Sequence, residues 1–444
     1  MARINLGIVS QTPFIRMLKP HNAETVALSS LKKSDYTYTT GGVAPMVKAQ
    51  LDEFEKERKI RHATWISLNP NAPRNIILSK TLNMASIRME DENSRDYVSF
   101  KEKLWNNMHN IKTMDFTIRE YLGYFRYNSK LARIMLQDYE SMDLFEIHDF
   151  QQILLGSMLG PSFPTILRWH GPFVPETFGR KVKKFIVNGL EGNDAVIVST
   201  NRDLEGLLRA GYRGRAYQIY PHIDPSIWKP VRKSSVSTLS DMFGIKPNDF
   251  LILNVARMDE IKSQDDLIKA VAMIKEPNVK LMLVGGDSFT TKALGHSKGV
   301  TWSRKLRSLV KRLKVEGKVI FAGNVGHDLL SCAYERADLF VLPSRTEGFA
   351  LVVVEGWMYE TPAIVSEGAG VSELVTDGFN GFVSHPGKFK DLAAKIHRLY
   401  KDDSLRLSMG INARNTANIC NVAITSKAIS KAYNETLSEF NLKT

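Results

Sequence analysis

The sequence predicts an α/β protein made of two doubly wound units. From Leu251 onward, short β-branched or apolar runs alternate with longer amphipathic ones, as they do in βα units around a parallel sheet. The N-terminal half shows the same alternation less cleanly. Between the halves lies Tyr220-Pro221-His222-Ile223-Asp224-Pro225-Ser226-Ile227-Trp228-Lys229-Pro230, whose three prolines forbid a continuous helix and suit a linker. A length of 444 residues accommodates two or three domains.

In the N-terminal half the strands are expected near 3–9, 62–68, 143–147, 164–168 and 194–198. The stretch 69–142 carries an acidic run, Glu90-Asp91-Glu92, followed by helical pattern. Beyond the linker, 251–256, 279–284, 318–321, 337–342 and 362–365 read as strands, and 263–275, 302–315, 327–336 and 387–400 as the helices between them. Right-handed crossovers then give a doubly wound sheet. The expected domains are 1–225 and 226–420, with a C-terminal segment, 421–444, carrying one more helix.

Hydrophobic residues make up 43% of the chain and charged ones 24%, which excludes disordered and fibrous classes. Cys332 and Cys420 cannot build a disulfide framework and lack zinc-ligand spacing, so a reducing compartment is expected. The N-terminal apolar stretch ends at Ser10-Gln11-Thr12, too short for a secretory signal or an anchor. The expected location is cytoplasmic. The net charge of +13 is spread evenly, with 30 basic and 24 acidic side chains before Lys229 and 30 and 23 from there on. Such a diffuse excess favours anionic partners: nucleotide phosphates, an acidic membrane face or nucleic acid. The run 303–315 places Leu306, Leu309, Val310 and Leu313 on one helix face and cations on the rest. It either touches an acidic membrane or covers a sheet with its basic face in water. Arg180, Lys181, Lys183 and Lys184 form a second basic cluster.

Ser344-Arg345-Thr346-Glu347-Gly348-Phe349-Ala350-Leu351-Val352-Val353-Val354-Glu355-Gly356 sets two carboxylates eight residues apart beyond a strand end, where open α/β sheets bind ligands. With Gly348 opening a helix, the free N–H groups form an anion site, and Glu355 lies about 12 Å along from Glu347. That span suits the two ends of a nucleotide-sugar. The run Leu351–Val354 also reads as a strand, since β-branched runs prefer sheets. In the bland alternative, Glu347 is a cap and Glu355 a surface charge. Arg257-Met258-Asp259-Glu260-Ile261-Lys262 places two cations on the loop leaving the first C-terminal strand. Beside a departing diphosphate they supply the charge stabilisation that a metal ion gives elsewhere. Otherwise Lys262 forms a solvated pair with Asp259 or Asp265.

Together these segments resemble the retaining GT4 glycosyltransferases of the GT-B fold, which have two Rossmann-like domains facing across a cleft and a C-terminal helix, here 421–444, packing back on the N-terminal domain. The family's Glu-x7-Glu motif matches Glu347 and Glu355, its Arg-x4-Lys pair matches Arg257 and Lys262, and its glycine-rich ending resembles Glu367-Gly368-Ala369-Gly370-Val371-Ser372-Glu373. Here Ala369 separates glycines that are often adjacent. The resemblance implies that Glu355 binds ribose hydroxyls, that Glu347 contacts the donor sugar, and that backbone N–H groups of Gly348, Phe349 and Ala350 hold sugar or phosphate. Phe321-Ala322-Gly323-Asn324-Val325 resembles the base-binding loop, with backbone around Asn324 and Val325 meeting the nucleobase. Thr40-Gly41-Gly42-Val43-Ala44 resembles the glycine pair that opens the first long helix. His148, in Glu146-Ile147-His148-Asp149-Phe150-Gln151, matches a histidine facing the donor sugar, and His170 a second one on the acceptor side. His222 reads as structural.

The implied reaction moves a hexose from a nucleoside-diphosphate sugar to an acceptor hydroxyl with retention. Arg257 and Lys262 stabilise the diphosphate while His148 and Glu347 hold the sugar. No metal and no further cofactor are expected. The implied partners are a nucleotide-sugar, a carbohydrate or glycolipid acceptor, and peripherally the cytoplasmic face of an anionic membrane, but not nucleic acid. Chemistry built on Asp-x-Asp, a P-loop or a Gly-x-Ser-x-Gly elbow is excluded by the absence of those motifs. The rival readings are a phosphorylase or epimerase on the same fold, and a basic membrane-binding protein with a vestigial nucleotide site.

Overall fold

A computed structural model describes residues 3–39, 41–89, 91–112, 114–286 and 298–443, without the side chains of 91–93, 138, 161, 298 and 443. Thr40 and Glu90, named above, lie outside the described residues. The chain forms two compact units, one of Met1–His222 with Val422–Thr444 and one of Ile223–Asn421.

The first unit holds β1 (Ile4–Ser10), β2 (Ile15–Met17), β3 (Thr25–Ala27), β4 (Tyr36–Tyr38), β5 (Ile60–Leu68), β6 (Asn75–Ile77), β7 (Leu82–Ile87), β8 (Leu144–His148), β9 (Thr165–Arg168), β10 (Ala195–Val198) and β11 (Arg215–Gln218). Nine of them form one sheet in the order β11-β10-β9-β8-β1-β5-β7-β6-β3, while β2 and β4 pair separately and antiparallel. Within the large sheet only β6 and β7 run antiparallel. The central strands are buried on both faces, as sheets covered by helices on both sides must be. After β1 the chain builds outward through β5 and β7, then returns to β1's other edge as β8, so the strand order reverses between β1 and β8.

The stretch 69–142 contains β6, β7 and two long helices, Asp91–Met108 and Ile118–Asp138. The second helix starts at a capping box: the Glu120 N–H donates to Thr117 Oγ1 at 3.2 Å and the Thr117 N–H to Glu120 Oε2 at 2.7 Å. The C-terminal helix Val422–Lys443 belongs to this unit, and its Tyr433 ring meets Phe54 edge-on at 5.7 Å.

The second unit is a six-stranded, wholly parallel sheet of β12 (Phe250–Val255), β13 (Val279–Val284), β14 (Val319–Gly323), β15 (Leu339–Leu342), β16 (Ala363–Ser366) and β17 (Gly381–Ser384). Its order, β14-β13-β12-β15-β16-β17, is the 3-2-1-4-5-6 order of dinucleotide-binding folds, with the reversal between β12 and β15. Ile252, Leu281, Leu283, Leu339 and Val341 from the strands pack with Leu267, Val271, Leu306, Leu309 and Ile396 from the helices. The basic run therefore lies in a sheet-covering helix, Lys298–Leu313, which ends two residues before the expected 315, with Lys314 at φ 56°.

Leu351–Val354 is helical, within Leu351–Trp357. As a strand it would have no place beside β15, both of whose edges are already paired, with β12 and with β16. The helix starts three residues later than Gly348. Ala350, at φ 82°, stands before it in the left-handed region, so Glu347 to Glu355 is not one continuous helix and the 12 Å rise does not apply.

Candidate active site

The reversal in the second unit splays apart the loops that follow β12 and β15, leaving a crevice at their carboxyl ends. After β12, Asp259 caps a single 3₁₀ turn, Glu260–Lys262, and Ser263 follows in the left-handed region at φ 50°. This tight turn carries Lys262 back under the loop after β15. There its ammonium pairs with Glu347, with side chains 11% and 23% exposed respectively. Asp265 is engaged by Lys269 at 2.7 Å. Of the partners open to Lys262 in the sequence, neither Asp259 nor Asp265 is taken. Arg257 is exposed on the same loop, its carbonyl accepting from Gln264 Nε2 at 2.8 Å.

Three loops are tied together around this pair. The Arg345 N–H donates to the Ile261 carbonyl at 2.8 Å and the Glu347 N–H to that of Gly368 at 3.0 Å. The N–H groups of Gly370 and Val371 donate to the carbonyls of Gly348 and Phe349 at 3.0 and 2.9 Å. Glycine is required at 368, where a Cβ would stand 2.1 Å from the Arg345 carbonyl oxygen. Gly348, Phe349 and Ala350 are thus held in a braced strip directly before the Leu351–Trp357 helix.

Glu355 projects from that helix onto Tyr334 of the His327–Arg336 helix, whose hydroxyl lies 2.9 Å from Glu355 Oε2 and 3.1 Å from the Val352 carbonyl. Burial pushes the Glu355 carboxyl up to about 7, with the Tyr334 hydroxyl opposing. At the far side of the crevice, Gly285 at φ 131° and Gly323 at φ 69° end β13 and β14. Asn324 and Val325 follow in the β14 loop, Asn324 exposed and close against Gly286. A cavity of about 390 Å³ lies here, lined among others by Met258, Gly286, Arg304, Arg307 and Phe321. The Arg307 guanidinium sits 4.2 Å over the Phe321 ring. Arg304 and Arg307 were legible only as part of a basic helix face. Their one-turn spacing put both on one side, but nothing in the pattern aimed that side at a strand end.

In the first unit, Gly42 precedes the helix Val43–Lys56, with Gly41 before it at φ 135°. His148 closes β8 at the reversal beside β1. Its Nδ1 lies 2.9 Å from His170 Nε2, and the rings are parallel at 5.2 Å. His148 is 1% exposed and its Nε2 faces Glu146 Oε1 at 3.8 Å, so His170, half-buried, is the ring nearer solvent. Burial lowers His148 to about 4 and His170 well below its ordinary value, making both neutral. Asp149, at φ 71°, accepts from the His170 N–H at 3.4 Å and is raised by burial to about 6.

Beneath them Glu146 accepts from Gln50 Nε2 at 2.6 Å and from the Tyr433 hydroxyl, while Arg168 donates to Gln50 Oε1 at 3.2 Å. Sequence reading missed Gln50, Arg168 and Tyr433, which are far apart in the chain. His222 is buried, its Nε2 2.9 Å from the Met46 carbonyl. Among the described residues no three His, Cys, Asp or Glu are grouped to hold a metal ion, and no helix is long and apolar enough to cross a membrane.

Residues 237–416 match the family model described as glycosyl transferases group 1. A putative glycosyltransferase, EpsD of Bacillus subtilis (strain 168), is 29% identical over 218 residues, 48% of this chain and 52% of that protein. The N-acetyl-alpha-D-glucosaminyl L-malate synthase of Bacillus anthracis is 23% identical over 328 residues, 69% of this chain and 77% of the synthase. The chain spans about half the length of several of the curated relatives it matches. The crystal structure of Anabaena Alr3699/HepE with UDP and glucose covers 98% of this chain and 100% of its own, with a TM-score of 0.70 at 18% identity. The chain has the GT-B fold. The match to the group 1 glycosyl transferases lies within its second unit.

Proposed function

We propose that the chain is a retaining, metal-independent hexosyltransferase, moving a sugar from a nucleoside-diphosphate sugar to an acceptor hydroxyl. The observation that carries this reading is Lys262 held by Glu347 at the β12/β15 reversal, on the same strip that leads to Glu355. In this reading the anomeric carbon leaves the diphosphate oxygen and bonds to the acceptor oxygen, whose proton passes to the departing phosphate. Arg257 and Lys262 stabilise the charge gained by the diphosphate. Glu347 holds Lys262 in place and meets the sugar, and N–H groups of Gly348, Phe349 and Ala350 orient its hydroxyls. Glu355 accepts from the ribose, and backbone at Asn324 and Val325 meets the base. Gly41, Gly42, His148 and His170 are assigned to donor and acceptor hydroxyls.

HepE, solved with UDP and glucose, supports UDP-sugars as the first donors to try. The acceptor is a carbohydrate or glycolipid. The two cysteines, buried and free, fit the reducing cytoplasm. The test incubates the protein with UDP-, ADP- and GDP-sugars in the presence of a chelator and follows released sugar and its anomeric configuration by NMR. Release of the retained anomer from one nucleotide class supports the reading. Inverted product, or activity lost on chelation, overturns its mechanism. Sugar phosphate formed from a glycoside and inorganic phosphate without nucleotide replaces the reading with a phosphorylase.

A further inference from the structure

Behind the two histidines of the first unit lies a buried charge that the proposed reaction leaves unused. Glu146 is fully buried on β8, and its two donors, Gln50 Nε2 at 2.6 Å and the Tyr433 hydroxyl, share one oxygen, Oε2. The Gln50 amide is held in that orientation because Arg168 donates to its Oε1 at 3.2 Å. The other oxygen of Glu146, Oε1, makes no hydrogen bond among the described residues and faces His148 Nε2 at 3.8 Å and Arg168 at 3.9 Å. His148 Nε2 makes none either. His170, bonded to His148 Nδ1 through its Nε2, has no ring bond through Nδ1 among the described residues.

Two neutral rings can make the bond of 2.9 Å between His148 Nδ1 and His170 Nε2 in either direction. If His148 donates, its bare Nε2 lone pair points at the Glu146 carboxylate, a repulsion that burial leaves unscreened. If His170 donates, the His148 Nε2–H points there instead, a charge–dipole attraction across 3.8 Å. We propose that Glu146, acting through His148, fixes both rings as their Nε2–H tautomers, so that His170 offers a bare Nδ1 as the acceptor for a sugar hydroxyl. Glu146 and His148 are then positioning residues. His148 is 1% exposed and faced at both nitrogens, so His170 is the member of the pair that meets the sugar. Tyr433 takes part from the C-terminal helix by holding Oε2 and leaving Oε1 to His148. The identity of the group that meets Nδ1 rests on the sugar-transfer reading and narrows it, whereas the tautomers stand on the geometry of the first unit.

The test is a two-bond nitrogen–proton NMR correlation of the full chain labelled with 15N-histidine at neutral pH, in which protonated and bare ring nitrogens have widely separated shifts. The two rings are assigned by the signals lost in His148→Gln and His170→Gln. The expected result is a proton on Nε2 and a bare Nδ1 in both. In Glu146→Gln the amide oxygen should take the donors at Oε2 and the amide NH₂ should face His148, so both rings should reverse to Nδ1–H. Hexose release from whichever UDP-, ADP- or GDP-sugar the unaltered chain uses should then fall at least about tenfold, with affinity for the nucleoside diphosphate unchanged. Nδ1–H rings in the unaltered chain overturn the proposal, whether or not Glu146→Gln folds. Unmoved tautomers in folded Glu146→Gln overturn the role of Glu146, and reversed tautomers with undiminished release overturn the acceptor role of His170. Absence of release by the unaltered chain from all three donors overturns the sugar-transfer reading, and with it the hydroxyl at Nδ1, while the spectrum still decides the tautomers.

Discussion

Tyr334 places its hydroxyl 2.9 Å from Glu355 Oε2 and 3.1 Å from the Val352 carbonyl, two acceptors for one proton. When Glu355 is ionised the hydroxyl donates to it, and when Glu355 is protonated the hydroxyl is released to Val352. Tyr334 is thus a positioning residue for the carboxylate proposed to receive the ribose. With Glu355 raised to about 7 by burial, nucleotide affinity should be level above about pH 7. It should fall up to tenfold per unit below, because ribose hydroxyls donate to the ionised form. Titration calorimetry across pH measures this. Glu355→Gln should bind weakly with a flat profile, and Tyr334→Phe should move the midpoint upward while retaining binding at high pH. A midpoint unmoved in Tyr334→Phe removes its positioning role but leaves the donor site standing.

The same group carries a stability prediction of definite sign. Its folded pKa is raised, so its contribution is present in full below the ordinary carboxylate value and is lost as pH rises through about 7. Glu355→Gln should remove that part of the pH dependence in thermal melts of the free protein.

Lys262 and Glu347 are both mostly buried, so removing either takes a close counter-charge from the other. Lys262→Met and Glu347→Leu should each lower both the melting temperature and turnover, with turnover down at least a hundredfold. The double variant should recover much of the melting temperature and none of the turnover. Recovery of turnover would assign the pair to structure alone.

His148 and His170 should remain neutral through the physiological range. Their imidazole NMR signals should not titrate between about pH 6 and 8, because burial holds His148 near 4 and His170 well below its ordinary value. Since the unfolded chain binds those protons more readily, stability should fall as pH drops from about 6.5 toward 4.

The C-terminal helix should be tied to the first unit through Tyr433. Tyr433→Phe removes a donor from the buried Glu146 carboxylate, leaving Gln50 on it. The expected cost is about 1–3 kcal/mol of unfolding free energy by denaturant titration. An unchanged midpoint would show that the hydroxyl adds nothing.

Most central strands were legible because, like Leu251–Val255 and Val279–Val284, they are apolar runs buried on both faces. Edges were not. β11, Arg215–Gln218, is a half-buried run of mixed residues, and β7 reads Leu-Asn-Met-Ala-Ser-Ile with one β-branched side chain. At Leu351–Val354, β propensity favoured a strand and tertiary context overrode it. Within the site, Glu347, Glu355, Arg257 and Lys262 were marked by spacing. The pairing of Lys262 with Glu347, 85 residues away, depends on β12 and β15 being neighbours. Tyr334 and Arg307 carried no signal of their own, because their roles arise from helices packed against the strand ends.

The account rests on a nucleotide site at the β12/β15 reversal, and titration calorimetry of UDP into the full chain, its Glu355→Ala variant and its Lys262→Ala variant tests it most directly. The expected result is saturable binding by the unaltered protein and at least tenfold weaker binding by each variant, all three folded. Absence of binding by UDP, ADP and GDP alike, or binding equal in all three proteins, would contradict it.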